Sequence, residues 1–387
     1  MFHCHAVDGA ARSGTVTTPH GRFATPAFMP VGTGGAIKGL TVDQLNSVDA
    51  EIILANTYHL YLRPGHERIA RLGGLGEFTG WRKPTLTDSG GYQVLSLSNK
   101  VKISEDGVTF ASIHDGSSHF FSPERAIDIQ RAIGADIIMC FDHCPPATAD
   151  REYARRAMKR TSAWARRCRG RFDLGELSQP LGAALFGIAQ GWLDTELRRE
   201  SVEDLLAIGF PGYAIGGLAV GESKEVMEEM VAFTAPLLPA DKPRYLMGVG
   251  YPDDILMAVS YGVDMFDCVL PTRSARTGLL FTSSGPIVYR NASFADDATP
   301  PDPACACAVC QRHSRAYLRH LFNQGDITGL SLATYHNVWF YLELMRNIRA
   351  SIREGRFAEF RKAFLTRYHG VYDGAAARER ESPRLDD

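Results

Sequence analysis

Residues 122–142, SPERAIDIQRAIGADIIMCFD, place a helix and a strand end to end and close on a carboxylate. Ser122 and Pro123 form a helix start signal, because the hydroxyl can cap and the proline has no N–H to lose. The run DIIMCFD after it is apolar on both faces of an extended chain, the mark of a strand covered on both sides. Seven more runs of this kind are spread along the chain. They are ATPAFMPV from Ala24, EIILANTY from Glu51, PTLTDSG from Pro84, ALFGIAQG from Ala184, YAIGGLAV from Tyr213, RYLMGVG from Arg244 and MFDCVLP from Met265. Helical stretches begin at Arg151, Leu197, Glu222 and Pro252 between them. Eight strands with intervening helices predict an α/β fold, a (β/α)8 TIM barrel. A doubly wound sheet is the competing fold, but no strand runs into a G-x-G-x-x-G turn.

The chain of 387 residues is 45% hydrophobic and 22% charged, as expected of a globular protein with a large core. No apolar run reaches the length of a membrane span. The first residues, MFHCHAVDGAARSG, lack the apolar stretch of a signal peptide, so the expected compartment is cytoplasmic. Five scattered cysteines (Cys4, Cys140, Cys144, Cys168, Cys268) read as free thiols. The net charge of -2 means that a nucleic-acid partner has to be held by a local basic surface. Two segments offer one: RNIRASIREGRFAEFRKAFLTRYHG from Arg346 and the region from Arg312 to Arg319.

Two segments interrupt the barrel pattern. Residues from Val101, VKISEDGVTFASIHDGSSHFFS, alternate about a turn and predict an inserted hairpin or small sheet around 95–122. After the eighth strand, Cys305, Cys307 and Cys310 crowd into CACAVC, and His336 follows in ATYHNVW. Three thiolates and an imidazole suit a closed tetrahedral site for structural Zn2+, with no open position for water. The expected division is a barrel with its hairpin over 1–290, a zinc-binding and helical subdomain over 291–375, and a flexible tail over 376–387.

Chemistry in a TIM barrel sits at the C-terminal strand ends. There the runs end in Asp88, Asp142, Gln190, Gly216-Gly217, Met247-Gly248 and Asp267. Any one aspartate after a strand can cap a helix, but independent caps have no reason to converge. Two close carboxylates suit displacement at an anomeric carbon.

The strings NTYHL from Asn56, TDSGGYQVLSL from Thr87, IGGLAVGE from Ile215, RYLMGVG, DMFDCVLPTRSART from Asp264 and the cysteine cluster with HSRAYLRHL resemble bacterial tRNA-guanine transglycosylases. The match runs from about Gly14 to about Tyr368 in the family's order. The resemblance implies a (β/α)8 barrel with a zinc-binding insertion. It also implies exchange of the wobble guanine in tRNAs with a G-U-N anticodon for a free 7-deazaguanine, in queuosine biosynthesis. Asp267 matches the nucleophile, giving a covalent glycosyl-aspartate, and Asp88 the acid/base. Asp142 and Gln190 match groups on the purine edge, Gly217 and Leu218 offer backbone groups, and Tyr92 and Met247 sandwich the base beside Gly248. Arg273 and Arg276 match readers of the uridine that follows the exchanged base. Cys144 and Val220 fit the pattern for 7-aminomethyl-7-deazaguanine, while His143 and Trp192 depart from the family and put the preferred base in question. The resemblance further implies a homodimer, with His313, Tyr317 and His320 as interface candidates, and one zinc ion per subunit. Two alternatives stand beside it: a retaining glycoside hydrolase, disfavoured by only four tryptophans, and a non-catalytic tRNA-binding accessory subunit, disfavoured by the presence of both carboxylates.

Overall fold

The computed structural model describes residues 1–98, 100–174 and 183–370. The tail expected over 376–387 lies outside the described residues. Three antiparallel strands that the sequence pattern did not reveal come first: β1 (Phe2–Asp8), β2 (Ala11–Thr18) and β3 (Gly21–Thr25). Their composition explains the omission. ARSGTVTT and GRFAT are short and polar, yet most of β2 is buried by its neighbours rather than by its own hydrophobicity.

The barrel begins at β4 (Ala27–Gly32) and continues through β5 (Ile53–Ala55) and β6 (Thr85–Thr87). A small antiparallel sheet of β7 (Val101–Ile103), β8 (Val108–Ala111) and β9 (Ser118–Phe121) interrupts it. It resumes with β10 (Ile137–Met139), β11 (Ala184–Ala189), β12 (Gly212–Ile215), β13 (Arg244–Leu246) and β14 (Met265–Cys268). All eight pair in parallel, and β14 closes on β4 with Asp267 opposite Met29. The eight runs expected to be strands are therefore the eight barrel strands. Parallel strands sheathed by helices are wet on neither face, which is why their sequences do not alternate.

Met29, Leu54, Ile137, Phe186, Tyr245 and Met265 pack in the interior, and Val16 and Phe23 join them from the N-terminal sheet. That sheet caps the end opposite the carboxylates. A buried ion pair between Arg12 and Asp264, and the His20 to Asp136 contact of 2.9 Å, fasten it to the starts of β14 and β10. Burying a charge is tolerable only when it is paired, so these links fix the sheet's place.

After β14 come the helix Leu270–Thr277, the hairpin β15 (Leu279–Thr282) and β16 (Gly285–Val288), and the helices Ala308–Arg312, Arg315–Asn323, Ile327–Arg353 and Phe357–Gly370. The 27-residue helix Ile327–Arg353 lies along the seam near β4, where Tyr341 packs on Phe28 with ring centroids 4.6 Å apart. Asn337 accepts from Phe281 N at 3.0 Å and donates to Pro271 O at 2.9 Å, sewing this helix to the barrel's last connection. Among the described residues, no helix is long and apolar enough to cross a membrane.

Candidate active site and metal centre

Asp88 follows β6 directly and is 7% exposed. Thr57 N donates to its Oδ1 at 2.8 Å, and Asn56 Nδ2 donates to its Oδ2. Burial pushes the carboxyl up to about 6 against these donors, and the charge of Asp267 adds to the rise. A carboxyl poised there can hold a proton or release it near neutral pH.

Asp267 belongs to β14 and is half-buried. The Tyr245 hydroxyl donates to Oδ1 at 2.6 Å and Gly248 N donates to the same oxygen at 2.8 Å. Gly248 has φ +75, a backbone state that side chains resist, and this turn aims its N–H at the carboxylate. Burial raises the Asp267 carboxyl while these two donors oppose the rise.

The third carboxylate, Asp142, accepts from Ser89 Oγ at 2.8 Å and from Gln190 Nε2 at 2.8 Å. Gln190 Oε1 is buried with no partner among the described residues. Gly217 takes φ +68, and a Cβ there would lie 2.4 Å from that oxygen, so only glycine leaves the space open. Leu218 is buried beside it. The Arg198 guanidinium, fully buried in the helix Thr195–Ile208, donates to Gly216 O at 3.3 Å and holds this turn from behind. Burial pushes the Cys144 thiol up to about 12, with Asp142 adding to it, so the thiol is neutral. Tyr92, pushed up to about 12 by burial, feels both Cys144 and Arg273. Met247 packs against the barrel interior.

Arg273 and Arg276 lie three residues apart on the helix Leu270–Thr277 that leaves β14, both half-buried. Arg276 Nη1 donates to Thr272 O at 2.9 Å. The two basic segments are less free than their sequences imply. Arg315 pairs with Asp297 at 3.2 Å and Arg319 Nε donates to Asn291 O at 2.9 Å, while Arg312 is exposed. In the C-terminal segment, Arg349 donates to Pro26 O at 2.9 Å and Arg367 to Ser283 O at 2.8 Å. Part of that charge ties helices to neighbouring backbone, Arg349 just before β4 and Arg367 at the β15–β16 turn.

His143 does not alter the charge of the site. Arg160 Nη1 donates to its Nδ1 at 3.0 Å, and arginine cannot accept, so Nε2–H donates to the Tyr153 hydroxyl at 3.0 Å. Burial, helped by the Arg160 charge, lowers the ring to about 4. It is a neutral tie between the loop after Asp142 and the helix Arg151–Asp173. Trp192 Nε1 donates to Ala147 O at 3.0 Å, pinning the same loop from the other side.

Cys305, Cys307, Cys310 and His336 bring their four donor atoms within 4.8 Å of one another. His336 Nδ1 lies 3.9, 3.5 and 3.2 Å from the three sulfurs in that order. A tetrahedral ion with ordinary Zn–S and Zn–N bonds sets such S···N edges at about 3.6 Å. The residues fit the ion. His336 Nε2 bonds Phe281 O at 2.8 Å, which leaves Nδ1 as the ligand. Backbone N–H groups of Cys310 and Asp302 approach the Cys307 and Cys310 sulfurs at 3.3 and 3.4 Å. This cluster packs within a hydrophobic group separate from the barrel interior.

Asn56, Ser89, Arg198 and Tyr245 were not singled out in the sequence as site residues. The first two and Tyr245 stand inside strings already marked, where their neighbours drew attention. Arg198 had no signal, since an arginine on an amphipathic helix reads as solvated.

The family model described as queuine tRNA-ribosyltransferase matches residues 7–370. The queuine tRNA-ribosyltransferase of Novosphingobium aromaticivorans is 56% identical over 95% of this chain and 98% of its own. Those of Zymomonas mobilis and Halothermothrix orenii are 55% and 54% identical, covering 95% and 94% of this chain and 95% of each relative.

Proposed function

The chain belongs to the queuine tRNA-ribosyltransferase family, and from that premise we propose how its barrel mouth carries out the exchange. The protein is a glycosyltransferase, a tRNA-guanine transglycosylase acting on tRNA. In our reading the substrate is the wobble guanosine of a G-U-N anticodon and the incoming base is 7-aminomethyl-7-deazaguanine. An Asp267 oxygen attacks C1′ of the ribose, the C1′–N9 bond breaks, and guanine leaves with the proton held by Asp88. The incoming base returns a proton to Asp88, its N9 displaces Asp267, and the configuration at C1′ is restored by two inversions.

The observation carrying this reading is the different hydrogen bonding of two carboxylates at one mouth. Burial raises both carboxyls, that of Asp88 to about 6, where it suits proton transfer. Donors meet both Asp88 oxygens, whereas both bonds to Asp267 land on Oδ1 and, among the described residues, leave Oδ2 free to react. Beside them, the open Gln190 Oε1, Asp142 and the Gly217 turn suit the donors and carbonyl of a purine edge. Tyr92 and Met247 supply flat and soft surfaces for stacking, and Arg273 and Arg276 read the next uridine. The cysteine-histidine set holds Zn2+, one per subunit, in a structural role; four protein donors leave it no position for substrate.

We also take the active form to be a cytoplasmic homodimer. Tyr317, 40% exposed and stacked on His313 at 5.1 Å, flanks a concavity of about 430 Å³ that includes Pro300 and Arg312. The decisive experiment is exchange of radiolabelled guanine into unmodified tRNA, with G-U-N and non-G-U-N anticodons and with competing 7-deazaguanines. Incorporation confined to G-U-N tRNA and displaced by the aminomethyl base is expected. Hydrolysis to an abasic tRNA without exchange would instead mark a glycoside hydrolase. Sedimentation at nanomolar concentration tests the dimer, and a fully active monomer refutes it.

A further inference from the structure

We propose that Tyr245 is a positioning residue that, with the Gly248 N–H, holds Oδ1 of Asp267 and leaves Oδ2 as the sole attacking and leaving oxygen. The inference rests on the reading of Asp267 as nucleophile. Both hydrogen bonds to this carboxylate land on Oδ1, at 2.6 and 2.8 Å, and among the described residues no donor reaches Oδ2. A free carboxylate has two equivalent oxygens; this one does not. Tyr245 sits on β13 and Asp267 on the adjacent β14, so the hydroxyl is aimed across a parallel ladder rather than by a loop. The ring is 1% exposed in the barrel interior and cannot swing away.

The two displacements use this bond differently. In the first, the Oδ2–C1′ bond forms and the carboxylate loses its charge, so donors at Oδ1 fix orientation but slightly dull the nucleophile. In the second, N9 of the incoming base bonds C1′, the C1′–Oδ2 bond breaks, and its electron pair returns to the carboxylate. Charge reappears on Oδ1, where Tyr245 O–H and Gly248 N–H already point. No proton leaves Tyr245, whose phenol is held far above its ordinary range by burial and by the Asp267 charge. Tyr245 therefore acts chiefly on breakdown of the glycosyl-aspartate.

Tyr245→Phe keeps the ring and removes the donor. A lost hydrogen bond to a charged group predicts a fall in kcat of roughly 10- to 100-fold. The KM for tRNA should fall along with kcat, since slower breakdown lets the adduct accumulate while kcat/KM for tRNA, set by the first displacement, changes little away from the acidic limb. The fraction of enzyme trapped as a covalent tRNA adduct at steady state should rise. With one donor to the charged form gone, the acidic limb of kcat/KM should move to higher pH by about one unit. The other ionisable groups facing this pair are Asp88, Cys268 and, beyond Cys268, Arg273, all unchanged in the variant. Replacing Tyr245 with a ring-fluorinated tyrosine, a stronger donor of nearly the same shape, should move the limb the opposite way. The unfolding midpoint is measured in parallel, and a purely packing role would lower it without moving the limb or the adduct fraction. If Asp267→Asn still exchanges guanine, the nucleophile reading falls and this inference with it. If Asp267→Asn is inactive while Tyr245→Phe shows wild-type adduct fraction and acidic limb, this inference alone is overturned.

Discussion

The barrel mouth and the cysteine cluster are both buried polar sites, yet they treat their valences in opposite ways. At the mouth, Asp267 keeps one oxygen without a donor and Gln190 Oε1 has no partner among the described residues. In the cluster, the Cys307 and Cys310 sulfurs meet backbone N–H groups and both nitrogens of His336 are engaged. A buried polar atom without a partner costs free energy, so a fold tolerates one where something else is to bind. A cluster whose outer hydrogen bonds are complete has its ligand directions already set, and an ion locks them. Open valences at one site and closed ones at the other match the reactive and structural roles assigned to them.

Removing the metal is expected to give the largest effect. Zinc binding at such sites is worth about 10 kcal/mol or more of local folding energy. Chelation, or Cys307→Ser, should abolish bound zinc and melt the C-terminal subdomain, seen by calorimetry and limited proteolysis. Activity should fall with the folded fraction and keep its pH profile. A stable, active, zinc-free protein would erase the contrast between the two sites.

Asp267→Asn comes next. Exchange should drop by on the order of 10⁴-fold or more, because an amide cannot form the glycosyl ester. Fold and tRNA affinity should persist, and the denaturation-resistant tRNA adduct should vanish. Comparable exchange by this variant would remove the nucleophile from the mouth.

Asp88 and His143 sharpen the comparison through pH, with opposite signs. The Asp88 carboxyl is raised from 3.8 to about 6 in the fold. Its contribution is intact below pH 4 and is lost as pH rises through 6, a cost of about 3 kcal/mol. Asp88→Asn should therefore gain stability relative to wild type between pH 4 and pH 8 while losing exchange. The His143 ring is lowered from 6.5 to about 4. Its contribution is present above pH 6.5 and is lost as pH falls toward 4, again by about 3 kcal/mol. His143→Gln should flatten that acid limb of stability, with at most a severalfold change in KM for the base. Denaturant titrations across pH separate the two, and parallel pH profiles for both variants would refute the assignment.

The smallest effect is expected at Arg276. Arg276→Ala should raise KM for tRNA and relax discrimination at the following base by about 1–3 kcal/mol. It should also reduce the salt dependence of binding by about one unit of slope. Affinity for the free base should not change. An unaltered anticodon preference would confine recognition to the mouth itself.

The barrel was legible because its strands are covered on both faces, so DIIMCFD and ALFGIAQG read as apolar without alternation. The N-terminal sheet was not, since residues such as those of β2 are buried by contacts with distant strands. The cysteine cluster was equally legible: three of its four residues lie within six positions, and local spacing nearly builds the cluster. His336 needed only the long helix Ile327–Arg353 to carry it there. Basic segments misled in part, because charge in a sequence carries no mark of whether it meets solvent or a carbonyl. Arg349 and Arg367 meet carbonyls.

Residue types and their order, by themselves, determined the eight-strand barrel, the crowding of Cys305, Cys307 and Cys310 and the carboxylates at the strand ends, since each follows from periodicity or local spacing. Tertiary structure alone decided what those carboxylates touch. Tyr245 reaches Asp267 across 22 residues, Asn56 reaches Asp88 across 32, and Gln190 reaches Asp142 across 48. Hydrogen bonding and burial at a barrel mouth are set by strands adjacent in space, and that adjacency exists only once the sheet has closed.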